Sequence, residues 1–203
     1  MRLALVTAML FGAVITSSPA ANADCPTAVT ASRGFKLEAH DPRMADHDIQ
    51  PFDSETVRIF TSNPRNPSFV SEELTTWRGI LQQKLSGRVA FELELDGDFR
   101  SLHPVKGGAT LATSYTVKVG DKVRKAKLKV RVDNEPTELT IGACTYQVWK
   151  IIRHSEFEDG ERSVFHDYYA PDLSMWLRRE VAVARPGQDL VLLIFAFKSI
   201  TGR

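Results

Sequence analysis

The residues best suited to binding chemistry form a basic row near the middle of the chain. Every second residue of this row is positively charged: Lys125, Lys127, Lys129 and Arg131. The residues between them are apolar, so a β-strand would place all four charges on one face, whereas a helix would scatter them. Such a face could bind the phosphates or carboxylates of lipid headgroups, lipopolysaccharide or peptidoglycan. We favour the simpler alternative, the solvated face of a half-buried strand whose lysines deter edge-to-edge pairing.

Histidines and carboxylates occur together in two segments. His40, Asp41 and residues 46–48 carry metal-binding groups. They belong to one local segment, whereas the ligands of a metal site usually come from separate elements, so we expect a solvated loop. His166 and Asp167 could supply a base and its orienting acid. Adjacent strand residues point to opposite faces, however, so these two cannot readily pair.

No established catalytic motif is present. The chain lacks Gly-x-Ser-x-Gly, His-Glu-x-x-His and a glycine-rich phosphate loop, and His154 is a further candidate base without an assigned acid. We therefore assign no catalytic residue, no metal and no cofactor.

The first 23 residues predict a secretory signal. Arg2 supplies the positive end, residues 3–15 are apolar, and residues 21–23 give the small-x-small pattern of a cleavage site. The apolar stretch is too short for a membrane span, which needs about 20 residues. Asp24 stands where lipid attachment at Cys25 would require a small residue. We expect cleavage after Ala23 and a periplasmic protein without a transmembrane anchor.

The charge and cysteine content narrow the function further. Without Arg2, the mature chain has 25 basic (26 − 1) and 25 acidic residues, which gives no support for nucleic acid as a partner. Cys25 and Cys144 are its only cysteines, and an even count in an oxidising compartment predicts a disulfide. The bridge would close a long loop, stabilise the fold by about 4–5 kcal/mol and pin the N-terminus to the strand that holds Cys144.

Turn signals divide the rest of the chain into short segments rich in β-branched and aromatic residues. They predict an all-β single domain over residues 56–203, a curled antiparallel meander or open barrel of about 8–10 strands. Residues 24–55 lack a sustained period and predict an extended N-terminal arm packed on the sheet. Residues 71–85 favour one short helix, because leucines and a tryptophan recur every three or four residues. Residues 190–197 are apolar on both faces, so we expect them to be covered on both sides.

Three aromatic residues are candidates for lining an apolar cavity inside a curled sheet. They are Trp149, Trp176 and Tyr168. A sheet that curls around an apolar interior could hold an acyl chain. Aromatic residues of this kind more often belong to a packed core, and we favour that alternative.

Two neighbouring motifs carry a family resemblance. Residues 168–173 read Tyr-Tyr-Ala-Pro-Asp-Leu, and residues 178–180 read Arg-Arg-Glu. The pattern resembles a family of uncharacterised bacterial periplasmic proteins, a domain of unknown function, in which an aromatic-Ala-Pro-Asp/Glu-Leu turn precedes a strand that ends in basic, then acidic residues. Residues 102–108 and 140–144 resemble further turns of the family, although Cys144 replaces the usual residue there. The resemblance covers roughly residues 72–184 and implies a curved antiparallel sheet in the envelope, without a known active site.

Three functions remain open. We favour a non-catalytic envelope protein that binds a periplasmic partner protein or an envelope polymer. The first alternative is a carrier that holds a lipid or other apolar ligand in the curl of the sheet. The second is an envelope hydrolase with an unrecognised site.

Overall fold

The computed structural model describes residues 25–88 and 90–203, and their regular structure is almost entirely β-strand. Three short 3-10 turns occur at Thr30–Arg33, Arg100–Leu102 and Pro171–Leu173. The strands are β1 (Phe35–Ala39), β2 (Asp46–Pro51), β3 (Thr56–Ser62), β4 (Glu72–Trp77), β5 (Leu81–Ser86), β6 (Phe91–Leu95), β7 (Thr110–Val119), β8 (Lys122–Val132), β9 (Thr137–Ile141), β10 (Cys144–Phe157), β11 (Arg162–Ala170), β12 (Met175–Ala184) and β13 (Val191–Gly202). The predicted signal peptide, residues 1–23, lies outside the described residues.

Twelve of these strands form a closed antiparallel barrel. Strands β1 to β8 pair in sequence order, β8 pairs with β10, and β10 to β13 again pair in order. The barrel closes where Phe35 of β1 lies opposite Gly202 of β13. Strand β9 is the extra strand and pairs only with the first five residues of β10. The all-β, single-domain prediction is confirmed, with more strands than the eight to ten that we expected.

The segment before residue 56 takes part in the barrel. Instead of an arm, residues 35–51 contribute β1 and β2, and β1 supplies the pairing that closes the sheet. Phe35, Leu37 and Ile49 are fully buried on the inner face. The residues of β1 and β2 do alternate between buried and more exposed positions, but the many polar residues among them make this alternation hard to recognise in the sequence.

The helix expected over residues 71–85 is wrong, because this segment forms the β4–β5 hairpin. The turn needs left-handed backbone, with φ of 46° at Arg78 and 67° at Gly79. A side chain at Gly79 would also collide with the backbone of Ser174, since its Cβ would lie 2.1 Å from that carbonyl oxygen. The hairpin therefore depends on a glycine at this position.

The predicted disulfide is confirmed. Cys25 and Cys144 are bonded, with their Cα atoms 5.6 Å apart. Cys144 begins β10, so the bridge ties the start of the described chain to the barrel. It lies at the end of the barrel opposite the β10–β11 turn, and we call this end the closed end.

The other end carries the β7–β8, β10–β11 and β12–β13 turns, and we call it the open end. Strands β1 to β6 have five to seven residues, whereas β7, β8 and β10 to β13 have nine to fourteen. Ala39, the last residue of β1, lies opposite Phe197, so residues 191–195 of β13 extend beyond β1. The wall of the barrel is therefore taller on one side than on the other.

We find no helix in residues 25–88 and 90–203 that is long and apolar enough to cross a membrane.

Candidate functional site

An apolar cavity of about 220 Å³ lies inside the open end of the barrel. Its apolar lining comes from the inner faces of β5 to β8 and β10 to β12: Leu81, Phe91, Leu93, Leu95, Tyr115, Val117, Leu128, Phe157, Phe165 and Val183. Its polar lining consists of Gln82, Arg153, Ser155, Glu161 and Ser163. The volume is below the 300–1,000 Å³ typical of pockets that enclose a whole drug-sized ligand. The cavity is therefore suited to one part of a longer molecule.

Beside this cavity, three charged side chains are buried together. Asp167 of β11 lies directly opposite Arg179 of β12, and Arg153 projects from β10 on the other side of β11. Asp167 Oδ1 accepts a hydrogen bond from Arg179 Nε at 2.5 Å, and its Oδ2 accepts one from Arg153 Nε at 2.8 Å. The three side chains are only 3–7% exposed. We call Arg153, Asp167 and Arg179 the interior triad.

The interior triad keeps its charges despite burial. Burial raises the pKa of Asp167, but the two guanidinium groups outweigh that effect and hold the pKa below its usual value. Burial lowers the pKa of Arg179 to about 10, which still leaves the side chain protonated at neutral pH. The triad therefore carries two positive charges and one negative charge.

His47 adds no charge to this interior. The ring lies edge-on to Trp176 and Phe197, with centroid distances of 5.4 and 5.0 Å. Burial lowers the pKa of His47 to about 4, and the positive charge of Arg179 contributes to the shift. His47 is therefore neutral at pH 7, and the buried charged groups of the described residues sum to about one positive charge.

Of the two arginines, Arg153 is the one that lines the cavity. Its guanidinium lies over the ring of Phe165, 4.4 Å from the ring centroid. Both Nε and Nη2 are 2.8 Å from Oδ2 of Asp167, but only Nε donates a hydrogen bond with good geometry, and Nη2 is buried without one. An arginine has five N–H donors, so Asp167 leaves part of this guanidinium unused.

An exposed apolar strand continues the lining beyond the cavity. Val183 lines the cavity and lies opposite Val191 of β13. On the same face, and further from the open end, Val181 lies opposite Leu193. Directly opposed strand residues share a face, so Val191 and Leu193 extend the inner surface towards solvent. We call residues 190–194 the apolar lip.

The apolar lip departs from our expectation that residues 190–197 are covered on both sides. Its five residues are 44–65% exposed within the described structure. Only the following part of the segment is covered, as at Phe197, which is 8% exposed. The physical reason is the height of the wall, because β1 ends opposite Phe197 and no described strand pairs with the outer edge of residues 191–195.

The charges at the mouth of the cavity are paired. Glu161 lies 2.8 Å from Arg185 and 3.5 Å from Arg124, and Arg124 also lies 2.7 Å from Asp159. Two acidic and two basic side chains thus balance one another at the rim. The excess positive charge belongs to the interior and not to the rim.

The predicted basic row lies on the outer face of the barrel, away from this cavity. Lys125, Lys127, Lys129 and Arg131 are all exposed. His154 lies opposite Lys129 on β10, and a shallow groove brings both residues near His166. Arg131 is paired with Asp133 at 2.8 Å. This arrangement fits the solvated face of a half-buried strand, and a site for a large anionic polymer remains a proposal.

The three aromatic candidates do not share one cavity. Trp176 is 2% exposed within the packed core. Trp149 packs against a different group of buried residues, which includes Leu102 and Val132. Tyr168 adjoins the inward-facing Tyr169 and lies near Lys150 and Arg178. None of the three lines the cavity described above, whose aromatic residues are phenylalanines and Tyr115.

The histidine and carboxylate segments are also separated by strand alternation. The solvated loop expected around residues 46–48 is wrong, since these residues belong to β2 and His47 is buried. Asp167 belongs to the interior triad, whereas the side chain of His166 lies 3.4 Å from that of Glu180. No group of three or more metal-binding side chains occurs in the described part of the chain.

The interior triad was missed because its members look like surface residues in the sequence. The signal available in the sequence was the spacing of residues along β11. Asp167 follows Ser163 and Phe165 at two-residue spacing, which places its carboxylate on the inner face.

No protein family, curated protein or solved structure is significantly similar to this chain.

Proposed function

We propose that this protein is exported to the periplasm and, without catalysis, carries the apolar part of an envelope molecule in the open end of its barrel. The observation that carries the proposal is the continuity of the apolar cavity with the apolar lip. A cavity of about 220 Å³ would hold one part of an acyl chain, and Val191 and Leu193 would cover the part that emerges.

Export is supported by the signal-like residues 1–23 and by the disulfide, which is typical of oxidising compartments. Because the cavity adjoins the apolar lip, we favour the carrier function over the partner-binding function that the sequence alone favoured. Burial of apolar surface supplies the affinity in this proposal, at roughly 25 cal/mol per Å² removed from water.

The first test is mass spectrometry of the protein purified from its own periplasm, under native and then denaturing conditions. We expect a co-purifying apolar molecule that is present in the native spectrum and released on denaturation. A bare polypeptide that also fails to bind a neutral apolar dye would contradict the carrier proposal.

A matched pair of variants locates the site. Val183→Trp fills the cavity, whereas Ala182→Trp places the same side chain on the opposite face of β12. We expect Val183→Trp to weaken binding of N-phenyl-1-naphthylamine, a neutral dye, by about tenfold. The tryptophan would take space in which the dye buries apolar surface, and the free energy lost with that burial corresponds to a change of this size in affinity. Equal effects of the two substitutions would place the dye elsewhere.

A second candidate function rests on the backbone of the apolar lip. Ala196 accepts a hydrogen bond from His40 N on the β1 side, so by alternation Leu192 and Ile194 present their N–H and C=O groups at the unpaired edge. A strand of a partner protein could pair there. Ile194→Pro removes one donor, and we expect it to abolish periplasmic cross-linking to such a partner; unchanged cross-linking would exclude this edge.

A further inference from the structure

We infer that the molecule held in the cavity is an amphiphile with one negative charge, and that its anionic group contacts Arg153. This inference rests on the proposed carrier function and adds the chemical class of the ligand. The class is defined by an apolar chain joined to a carboxylate or a phosphate ester.

The buried charges of the barrel interior do not balance. Arg153 and Arg179 share one carboxylate, Asp167, and His47 is neutral at pH 7. An uncompensated charge in a buried site is costly, and buried charges are normally paired. One further negative charge would balance the triad, which is why we specify a single charge on the ligand.

The two arginines of the interior triad differ in their access to the cavity. Arg179 is enclosed, with its guanidinium 4.1 Å from the ring centroid of Trp176 and its Nε bonded to Asp167. Arg153 lines the cavity, and of its five N–H donors only Nε–H makes a hydrogen bond of good geometry to Asp167, although Nη2 also lies 2.8 Å from Oδ2. A guanidinium matches the geometry of both carboxylate and phosphate oxygens.

The polar lining around Arg153 also suits an anionic group. Ser155 and Ser163 lie opposite one another on β10 and β11, and both line the cavity. Tyr115 also lines the cavity, and its phenol O–H is a further hydrogen-bond donor. The one acidic lining group, Glu161, is held at the mouth by Arg185, 2.8 Å away. The deeper lining therefore offers hydrogen-bond donors and a cation to an anionic group.

The test compares three probes that have a twelve-carbon chain and differ in head-group charge. Dodecanoate, dodecanol and dodecyltrimethylammonium compete with N-phenyl-1-naphthylamine for the purified mature protein at constant salt. We expect dodecanoate to displace the dye at a concentration at least about tenfold lower than dodecanol, since a charge-assisted hydrogen bond has this effect on affinity. The cationic probe should be the weakest of the three.

Arg153→Met tests the residue. It should remove the preference for dodecanoate over dodecanol and leave the affinity for dodecanol within about threefold, because the apolar lining is retained. Arg162→Met is the matched control, since Arg162 is 70% exposed and paired with Glu156. Circular dichroism establishes that both variants fold, and Arg153→Gln serves as a second variant if Arg153→Met does not.

The outcomes separate the inference from the function on which it rests. Equal displacement by dodecanoate and dodecanol, or an unchanged preference in Arg153→Met, would overturn the anionic class and leave the carrier intact. Displacement of the dye by inorganic phosphate as strongly as by dodecanoate would show a free anion site and overturn the amphiphile. Failure of the dye and every probe to bind would instead remove the carrier function itself.

Discussion

The closed and open ends of the barrel are built from the same alternating strands, but they use their inner faces differently. Near the closed end, Phe35, Leu37 and Met175 are fully buried, and the disulfide ties the chain to this end. Near the open end, the inward-facing Val117 and Phe165 are only partly buried and surround a cavity. Strand pairing alone therefore leaves the interior unfilled at one end.

The interior triad lies between these two regions. Asp167 and Arg179 are buried against the packed core, and Arg153 reaches the cavity. Polar groups in a packed core must be paired, whereas a binding site benefits from donors that are left free. Arg179 therefore has the role of a paired core residue, whereas Arg153 keeps donors that can serve a binding site.

Removing the shared carboxylate should have the largest effect on stability. Asp167→Asn leaves Arg153 and Arg179 buried without a counter-charge, and we expect a loss of about 3–5 kcal/mol in the free energy of unfolding. Arg153→Met leaves the neutral pair of Asp167 with Arg179, so its loss should stay below about 1 kcal/mol. Urea denaturation at pH 7 measures both values. Equal losses would show that Arg153 belongs to the packed core.

Leucine truncation compares the two ends directly. Leu37 is 0% exposed, and Leu37→Ala should cost about 2–5 kcal/mol because it creates a cavity in close-packed surroundings. Leu93 already borders the open-end cavity, so Leu93→Ala should cost about 1 kcal/mol. The comparison fails if urea denaturation gives the same loss for both variants.

Protonation of His47 should reduce stability over a mildly acidic range. The folded pKa of about 4 lies below the usual 6.5, so between these values the unfolded chain takes up the proton first. We expect a loss of about 2 kcal/mol between pH 7 and pH 5 from this residue. Urea denaturation of His47→Phe should show a shallower pH dependence than wild type, whereas a His40→Gln control should not. An unchanged profile in His47→Phe would mean that His47 is not buried in a dry interior.

The parts of the fold that could be predicted are those with a local pattern. Residues 125–132 alternate without a break, and Cys25 and Cys144 have no other cysteine to pair with. The strands before residue 56 could not be recognised, because Asp46 and Asp48 flank the buried His47 and make a core strand look like a loop. The apolar residues of the hairpin at residues 72–86 have helical spacing by coincidence. Two separate strands, β4 and β5, carry these residues, and the turn at Gly79 lies between them.

The site depends on long-range pairing and was less predictable. Arg153, Asp167 and Arg179 come from three strands, and nothing local shows that they share an interior. The apolar residues 190–197 did signal an unusual environment. Burial was the wrong inference for the apolar lip, because the length of the neighbouring strand β1 decides whether β13 is covered.

The smallest effect on stability is expected on the apolar lip. Leu192 is 62% exposed, so Leu192→Lys should change the free energy of unfolding by no more than about 0.5 kcal/mol, as is usual for surface substitutions. Urea denaturation at two protein concentrations measures this change and detects any contribution from self-association. A loss above about 1.5 kcal/mol at both concentrations would mean that the lip is covered within one chain, and the contrast between the two ends would disappear. A loss seen only at the higher concentration would instead mean that a second copy covers it. A neutral result at both concentrations, together with weaker binding of N-phenyl-1-naphthylamine, would show that a residue unnecessary for folding contributes to binding, which is the behaviour expected of an open binding end.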